Sequence, residues 1–305
     1  MTEESSELAR QQSWSVDAPA EVEVSLDLGW VRIELEDNIG EVRVEVRYDP
    51  STGGGWATQG FSSLINWLGT GPESGLGSID DDLAVEAVRA AEISWSDAGS
   101  RLVVRNCREL PLRLVPLAVT ISAPTGSRLA VRTGSGDVTV TGRAGWAAVR
   151  SGSGDVTVAA VDGDADVTTG SGDVDLGAVT GRARVRTGSG RIALAAAGGP
   201  TEIKAGSGDV RLGEVTGDLG VRTGSGEVLV ADARAGRLDL TTGTGELRVG
   251  VHPGVAAELD LSSGTGRTRS ELDLRGVAPE QAPPLRVRGR TGTGDVLVMR
   301  AAVPA

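Results

Sequence analysis

TGSGDV occupies residues 133–138, and close variants follow it: SGSGDV at 151–156, TGSGDV at 169–174, TGSGRI at 187–192, AGSGDV at 205–210 and TGSGEV at 223–228. The first glycines of these phrases, Gly134, Gly152, Gly170, Gly188, Gly206 and Gly224, lie 18 residues apart. Gly243, Gly264 and Gly292 follow after 19, 21 and 28 residues. A short fixed period that loosens toward one end marks a solenoid whose terminal coils are modified.

Aligning the coils on the phrase puts apolar residues in register. Val131, Val138 and Val140 are followed by Val149, Val156 and Val158, then by Val167, Val174 and Leu176. The same slots hold Val185, Ile192 and Leu194, then Ile203, Val210 and Leu212. Val161, Val179 and Val215 mark a further inward slot, and Ala165, Ala183 and Leu219 another. Alternation of inward and outward residues within each run is a strand signal. Each coil therefore reads as strand, glycine turn, strand and second turn, the second turn having its own glycines at 145, 163, 181, 199 and 217. Glycine suits both turns because tight corners often need φ > 0. One coil buries too little apolar surface to offset the entropy of ordering it, so stability must come from stacking.

The expected fold class is all-β: a right-handed parallel β-solenoid, or β-helix, with 18-residue coils and a small helical insertion near the N-terminus. The hand follows from the general preference of parallel crossovers. A left-handed hexapeptide helix also has 18-residue coils, but its signal recurs every six residues, whereas here the glycines cluster at two corners. Aromatics at 3% suit a narrow repeat core better than a rounded one.

The domain plan is a flexible tail over 1–13 and a single elongated solenoid domain over 14–305. The coils are most regular over 131–239 and lengthen over 240–305. Residues 22–47 alternate strongly and read as one or two early coils, with Gly29 and Val31 in phrase positions. Residues 51–98 break the repeat. There Phe61, Leu64, Ile65 and Leu68 fall on one helical face, and an acidic turn at 80–82 precedes a second short helix over 83–91.

The stretch VTISAPTGSRLAVRTGSGDV at 119–138 resembles a bacterial β-strand-repeat family of unknown function that often carries a provisional adhesin label. The similarity runs from about residue 15 to the C-terminus. It implies a β-solenoid and brings no catalytic or ligand residues with it; the expected function is a non-enzymatic scaffold or protein-interaction module, adhesin-like by resemblance but without an export signal.

The remaining residues are read for chemistry. Net charge is −12, from 42 acidic and 30 basic residues, which disfavours nucleic acid and anionic lipid. Cys107 is the sole cysteine and His252 the sole histidine, so neither an intrachain disulfide nor a His/Cys metal cluster is available. The chain contains no phosphate-loop motif and no transmembrane run. The expectation is a cytoplasmic protein, not an enzyme, without cofactor or metal. Two alternatives are a carbohydrate-binding or carbohydrate-active β-helix and a calcium-binding β-roll. The first wants convergent carboxylates with aromatics, and Trp146 is the one aromatic in the regular coils. The second wants an unbroken ligand row, whereas the acidic row Asp137, Asp155, Asp173, Asp209 and Glu227 is interrupted by Arg191.

A cation row at Arg132, Arg150, Arg186, Lys204 and Arg222 should face outward and be offset by that acidic row. The candidate partner-binding patch is Trp56, Phe61, Leu64, Ile65, Trp67 and Leu68; the competing, simpler reading is that this helix caps the open end of the solenoid or lies against its flank. An unknown protein partner and self-association through solenoid ends are the expected interactions.

Overall fold

A computed structural model of the chain describes residues 2–6, 8–50, 81–272 and 283–302. Its contacts divide into two compact units, Met1–Thr141 with Ser151–Ser153, and Gly142–Arg150 with Gly154–Ala305. The repeat pattern predicts a single domain over 14–305. In a repeat array each coil touches only its neighbours, so a few coils suffice for a compact unit.

In the first unit the chain runs through β1 (Thr2–Ser6), β2 (Ala9–Ser15), β3 (Glu21–Glu36), β4 (Glu41–Tyr48), α1 (Asp81–Ala90), β5 (Glu92–Ser96), β6 (Arg101–Arg105), β7 (Leu117–Pro124), β8 (Arg128–Ser135) and β9 (Val138–Ala144). β3 is a whole coil. Its first half pairs in parallel with β6 and β8, and its second half with β7 and β9. The corner is Gly29, at φ +120°, where an added Cβ would lie 1.8 Å from the Leu117 carbonyl oxygen. Val31 stands opposite Val138, so the degenerate phrase at 26–31 is a true coil.

The neighbouring strands depart from the reading of the sequence. β4 does not begin a second coil; it turns back and pairs antiparallel with β7. β2 pairs antiparallel with β4, and β1 with β2, so the stretch expected to be a tail is stranded. β5 is likewise antiparallel to β6. These strands close off paired edges that would otherwise be free. α1 is the predicted second helix. It packs against β2, β4 and the short 3-10 turn Leu112–Leu114, burying Ala84, Ala87 and Val88. Arg10 Nη1 donates to the Ala91 carbonyl at 3.0 Å, satisfying an oxygen just past the helix C-terminus.

Two polar anchors hold this unit. Buried Ser127 accepts from the Ala20 amide at 2.9 Å and donates to the Pro124 carbonyl at 2.6 Å. Asp27 accepts from Arg113 Nε at 2.9 Å, Arg113 Nη2 at 2.8 Å and Asn106 Nδ2 at 2.8 Å. The Arg113 hydrogen bonds hold the Asp27 carboxyl below the usual range against the opposing effect of burial. A depressed carboxyl pKa contributes stability above the unfolded-state value and loses it as pH falls through the folded value. Asp27→Asn should therefore lower stability at neutral pH and leave it less sensitive to acid below about pH 4, read from urea midpoints across pH.

β9 and β10 (Trp146–Ser153) contribute residues to both units. The second unit continues with β11 (Val156–Val161), β12 (Ala165–Ser171), β13 (Val174–Val179), β14 (Ala183–Ser189), β15 (Ile192–Ala197), β16 (Thr201–Ser207), β17 (Val210–Val215), β18 (Leu219–Ser225), β19 (Val228–Ala233), β20 (Gly236–Thr244), β21 (Leu247–Val251), β22 (Ala257–Thr265), β23 (Thr268–Ser270), β24 (Leu285–Thr293) and β25 (Val296–Arg300). From β11 on, even-numbered strands form one parallel sheet and odd-numbered strands another, two strands to a coil. This is the parallel β-solenoid expected. Val167, Val185, Ile203 and Val221 pair in register in one sheet, and Val174, Ile192, Val210 and Val228 in the other. All eight are at most 1% exposed, so the two inner faces make one dry core.

The phrase threonines line that core too. Thr169, Thr187 and Thr223 are buried, and each hydroxyl donates to the carbonyl of the serine two residues on, at 3.2, 2.8 and 3.1 Å. The hydroxyl thus spends its proton at the corner while its methyl faces the core.

The coils near the C-terminus are not stacked in chain order. β24 lies between β20 and β22, and β25 between β21 and β23. The last coil in sequence is therefore inside the one before it. Gly289 marks the insertion: it occupies an inward slot between Leu240 and Leu261. A Cβ there would come within 3.2 Å of Leu261 Cδ2, so the Leu261 side chain leans into the space that Gly289 leaves.

Candidate functional site

The repeated phrase forms the corner between the two sheets. Its second glycine is the residue that needs a left-handed backbone: Gly172, Gly190, Gly208 and Gly226 have φ of +139°, +124°, +136° and +140°. The first glycine is required for a different reason. A Cβ on Gly188 would stand 2.5 Å from the Gly170 carbonyl oxygen of the coil before, without any positive φ. Neither row calls for a ligand to explain it.

The acidic row of the phrase is also occupied by architecture. Asp155 Oδ1 accepts from the Asp173 amide at 2.8 Å, Asp173 Oδ1 from the Arg191 amide at 2.8 Å, and Asp209 Oδ1 from the Glu227 amide at 3.0 Å. The second corner repeats the device: Asp164 Oδ1 accepts from the Arg182 amide at 2.8 Å and Asp218 Oδ1 from the Arg237 amide at 2.9 Å. Each carboxylate thus binds the backbone of the equivalent residue in a neighbouring coil. Arg191, the break in the row, fits for this reason. Its amide still takes the Asp173 bond, and its guanidinium reaches Asp173 Oδ2 at 2.8 Å. Asp173→Ala should cost about 1 kcal/mol in urea unfolding, because two exposed charge-assisted bonds are lost. Asp173→Asn keeps an acceptor and should lose less.

At Lys204 the expected exchange of charge between the cation row and this acidic row gives way to a pair along the strand. Lys204 Nζ meets Glu202 at 2.6 Å, two residues back on the same strand. Lys204 is also the first cause holding the Glu202 carboxyl below its usual range. Arg186, Lys204 and Arg222 remain in one file, directly opposite one another across β14, β16 and β18. The column beside it alternates in sign instead: Asp166, Arg184, Glu202, then Gly220, then Asp239, Arg288 and Asp260. Alternation between neighbouring strands is the favourable arrangement.

Gly220 interrupts that column and leaves an open hollow of about 310 Å³, lined by Arg184, Glu202, Arg237 and Asp239 among others. Its charges balance, and the sequence reading does not single it out. His252 Nδ1 lies 3.0 Å from Asp232 Oδ1, and Arg234 Nε lies 2.9 Å from Asp232 Oδ2. This local polar cluster ties the turn at 252 to the coil before it.

Among the described residues no group of three or more His, Cys, Asp and Glu side chains could hold a metal ion. No described helix is long and apolar enough to cross a membrane. The sequence-predicted patch, Trp56, Phe61, Leu64, Ile65, Trp67 and Leu68, lies outside the described residues. Four other tryptophans are placed, Trp146 at the start of β10 among them. Trp14 and Trp95 stack with ring centroids 5.4 Å apart, and Trp30 packs with the guanidinium groups of Arg32 and Arg47.

The family profile described as Toastrack DUF4097 matches residues 74–199 and 118–289. No curated protein matches the sequence. A crystal structure of a Bacteroides fragilis protein, provisionally named an adhesin, aligns over 96% of this chain and 98% of its own at 9% identity and a TM-score of 0.39. A Clostridium sporogenes protein, provisionally named for cell adhesion, aligns over 96% and 99% at 8% identity and a TM-score of 0.21. A Parabacteroides distasonis protein, also provisionally named an adhesin, aligns over 95% and 96% at 10% identity and a TM-score of 0.29.

Proposed function

The chain belongs to the Toastrack family, and we propose that it is a non-enzymatic β-solenoid scaffold that binds a protein partner. One observation carries this reading. The repeated carboxylates, which would be the groups available for acid–base or ligand chemistry, accept backbone N–H bonds from neighbouring coils. The repeated residues therefore serve stacking, and the outer face is left as a regular charged surface. The partner contact is assigned to Trp56, Phe61, Leu64, Ile65, Trp67 and Leu68, because large apolar and aromatic side chains dominate binding energy where they cluster. A cytoplasmic location is part of the proposal, where the lone Cys107 thiol would stay reduced.

The test is affinity capture from the native cell with the full chain and with a Phe61→Ser, Trp67→Ser double variant. A partner retained by the first and lost by the second, with unchanged circular dichroism, supports the assignment. The same partner set for both would remove the patch from it. Turnover of a glycan or a phosphoester by the purified chain would remove the scaffold reading itself.

A further inference from the structure

The insertion of β24 and β25 into the stack leaves the coil of β22 and β23 as its outermost layer. Among the described residues β22 pairs with β24 and with no strand on its other side. Alternate backbone N–H and C=O groups along this nine-residue strand therefore face a free edge. Its inward side chains are short of cover as well. Leu259 and Leu261 are half-buried, whereas Leu238, Leu240 and Val287 in the equivalent slots inside the stack are at most 1% exposed, Gly289 apart.

The other half of this coil is built differently. β23 has only three residues, and Thr268 and Ser270 stand opposite Val296 and Val298. Polar residues at inward slots are what a terminal repeat uses when it faces water. The coil is thus finished for solvent on the β23 side and unfinished on the β22 side. An occupant must therefore supply a strand to β22 and apolar contact to its leucines.

We propose that this occupant is β22 of a second copy, paired antiparallel about a two-fold axis. The sequence of the strand is compatible with itself. In a register centred on Leu261, Leu261 meets its own counterpart, Asp260 faces Ser262 of the other copy, and Glu258 faces Gly264. No acid stands opposite an acid. The Glu258 and Asp260 carboxylates are already held by Arg286 at 3.1 Å and Arg288 at 3.0 Å, so they enter the pairing partly neutralised. An edge that pairs with itself closes at two copies and does not propagate.

Sedimentation velocity of the full chain over a wide concentration range tests this, with two variants at exposed Ser262. Ser262→Asp sets two pairs of like charges face to face and should weaken the dimer about tenfold; Ser262→Arg sets two opposite-charge pairs and should tighten it by a similar factor. Opposite shifts from one solvent-facing position cannot be produced by a folding defect, and matching urea midpoints would check that. A monomer at every concentration overturns the proposal. So does a dimer that responds to neither variant, since it would use another face. Deleting residues 273–282 adds a third arm. A monomeric wild type that dimerises after the deletion would mean that the chain's own segment covers β22, which also overturns the proposal.

Discussion

Gly190→Val is expected to lower the unfolding free energy by about 3–5 kcal/mol, enough to leave much of the protein unfolded at 37 °C. Two costs combine at this position. The backbone sits at φ +124°, which a β-branched side chain resists, and its Cβ would lie 2.2 Å from the Gly172 carbonyl oxygen and 2.6 Å from the carbonyl carbon. Those are backbone atoms of the adjoining coil, so relief would require the coils to separate. Gly220→Ala is the control within the same stack. Gly220 has no positive φ, and an added Cβ would find only the Thr201 carbonyl oxygen, at 4.0 Å. Its substitution should be neutral within about 0.5 kcal/mol. Urea denaturation of the two variants checks both outcomes, and equal losses would mean that the phrase glycines are not held by stacking.

The second large effect comes from two adjacent residues given the same substitution. Ile203→Asp should cost more than about 4 kcal/mol, because it places a carboxyl in a fully buried slot between Val185 and Val221. Lys204→Asp, one residue on, should cost only about 1 kcal/mol. It loses the exposed pair with Glu202 and adds a like charge beside it. The contrast reads the alternation of the strand directly: one residue faces the core and the next faces water. Similar losses at both positions would show that this face assignment is wrong.

How much of this was legible in the sequence follows from what each pattern encodes. The 18-residue spacing and period-two alternation specify which side chains face inward, and Val185, Ile192, Leu194 and Ile203 are buried as read. Alternation carries no information about the direction of pairing, so β4 looked like a coil and proved to be an antiparallel strand. The strands β1 and β2 were hidden because TEESS and ARQQSWS lack an apolar alternation; β2 gains its order from β4, and β1 from β2. A repeat period likewise fixes the length of a coil and not the order of stacking. Gly289, a glycine in a slot that elsewhere holds Leu240 or Leu261, was the available clue to the inserted coil. For the site, composition showed that the corner acids recur, but not that each accepts an amide from the next coil. A hydrogen bond between equivalent residues leaves no second residue type to notice.

In the regular coils residues 18 apart in sequence are stacked neighbours in parallel register. Cysteine cross-linking tests it most directly. In a Cys107→Ser background, Arg186→Cys with Lys204→Cys joins register partners on adjacent strands, whose Cα atoms should be about 5 Å apart, within reach of a disulfide. Arg186→Cys with Arg222→Cys spans two strands, at about 10 Å, beyond that reach. The first pair should oxidise rapidly within one chain, and the second not at all. Failure of the 186–204 pair to close, or equal closure of both, would contradict this register.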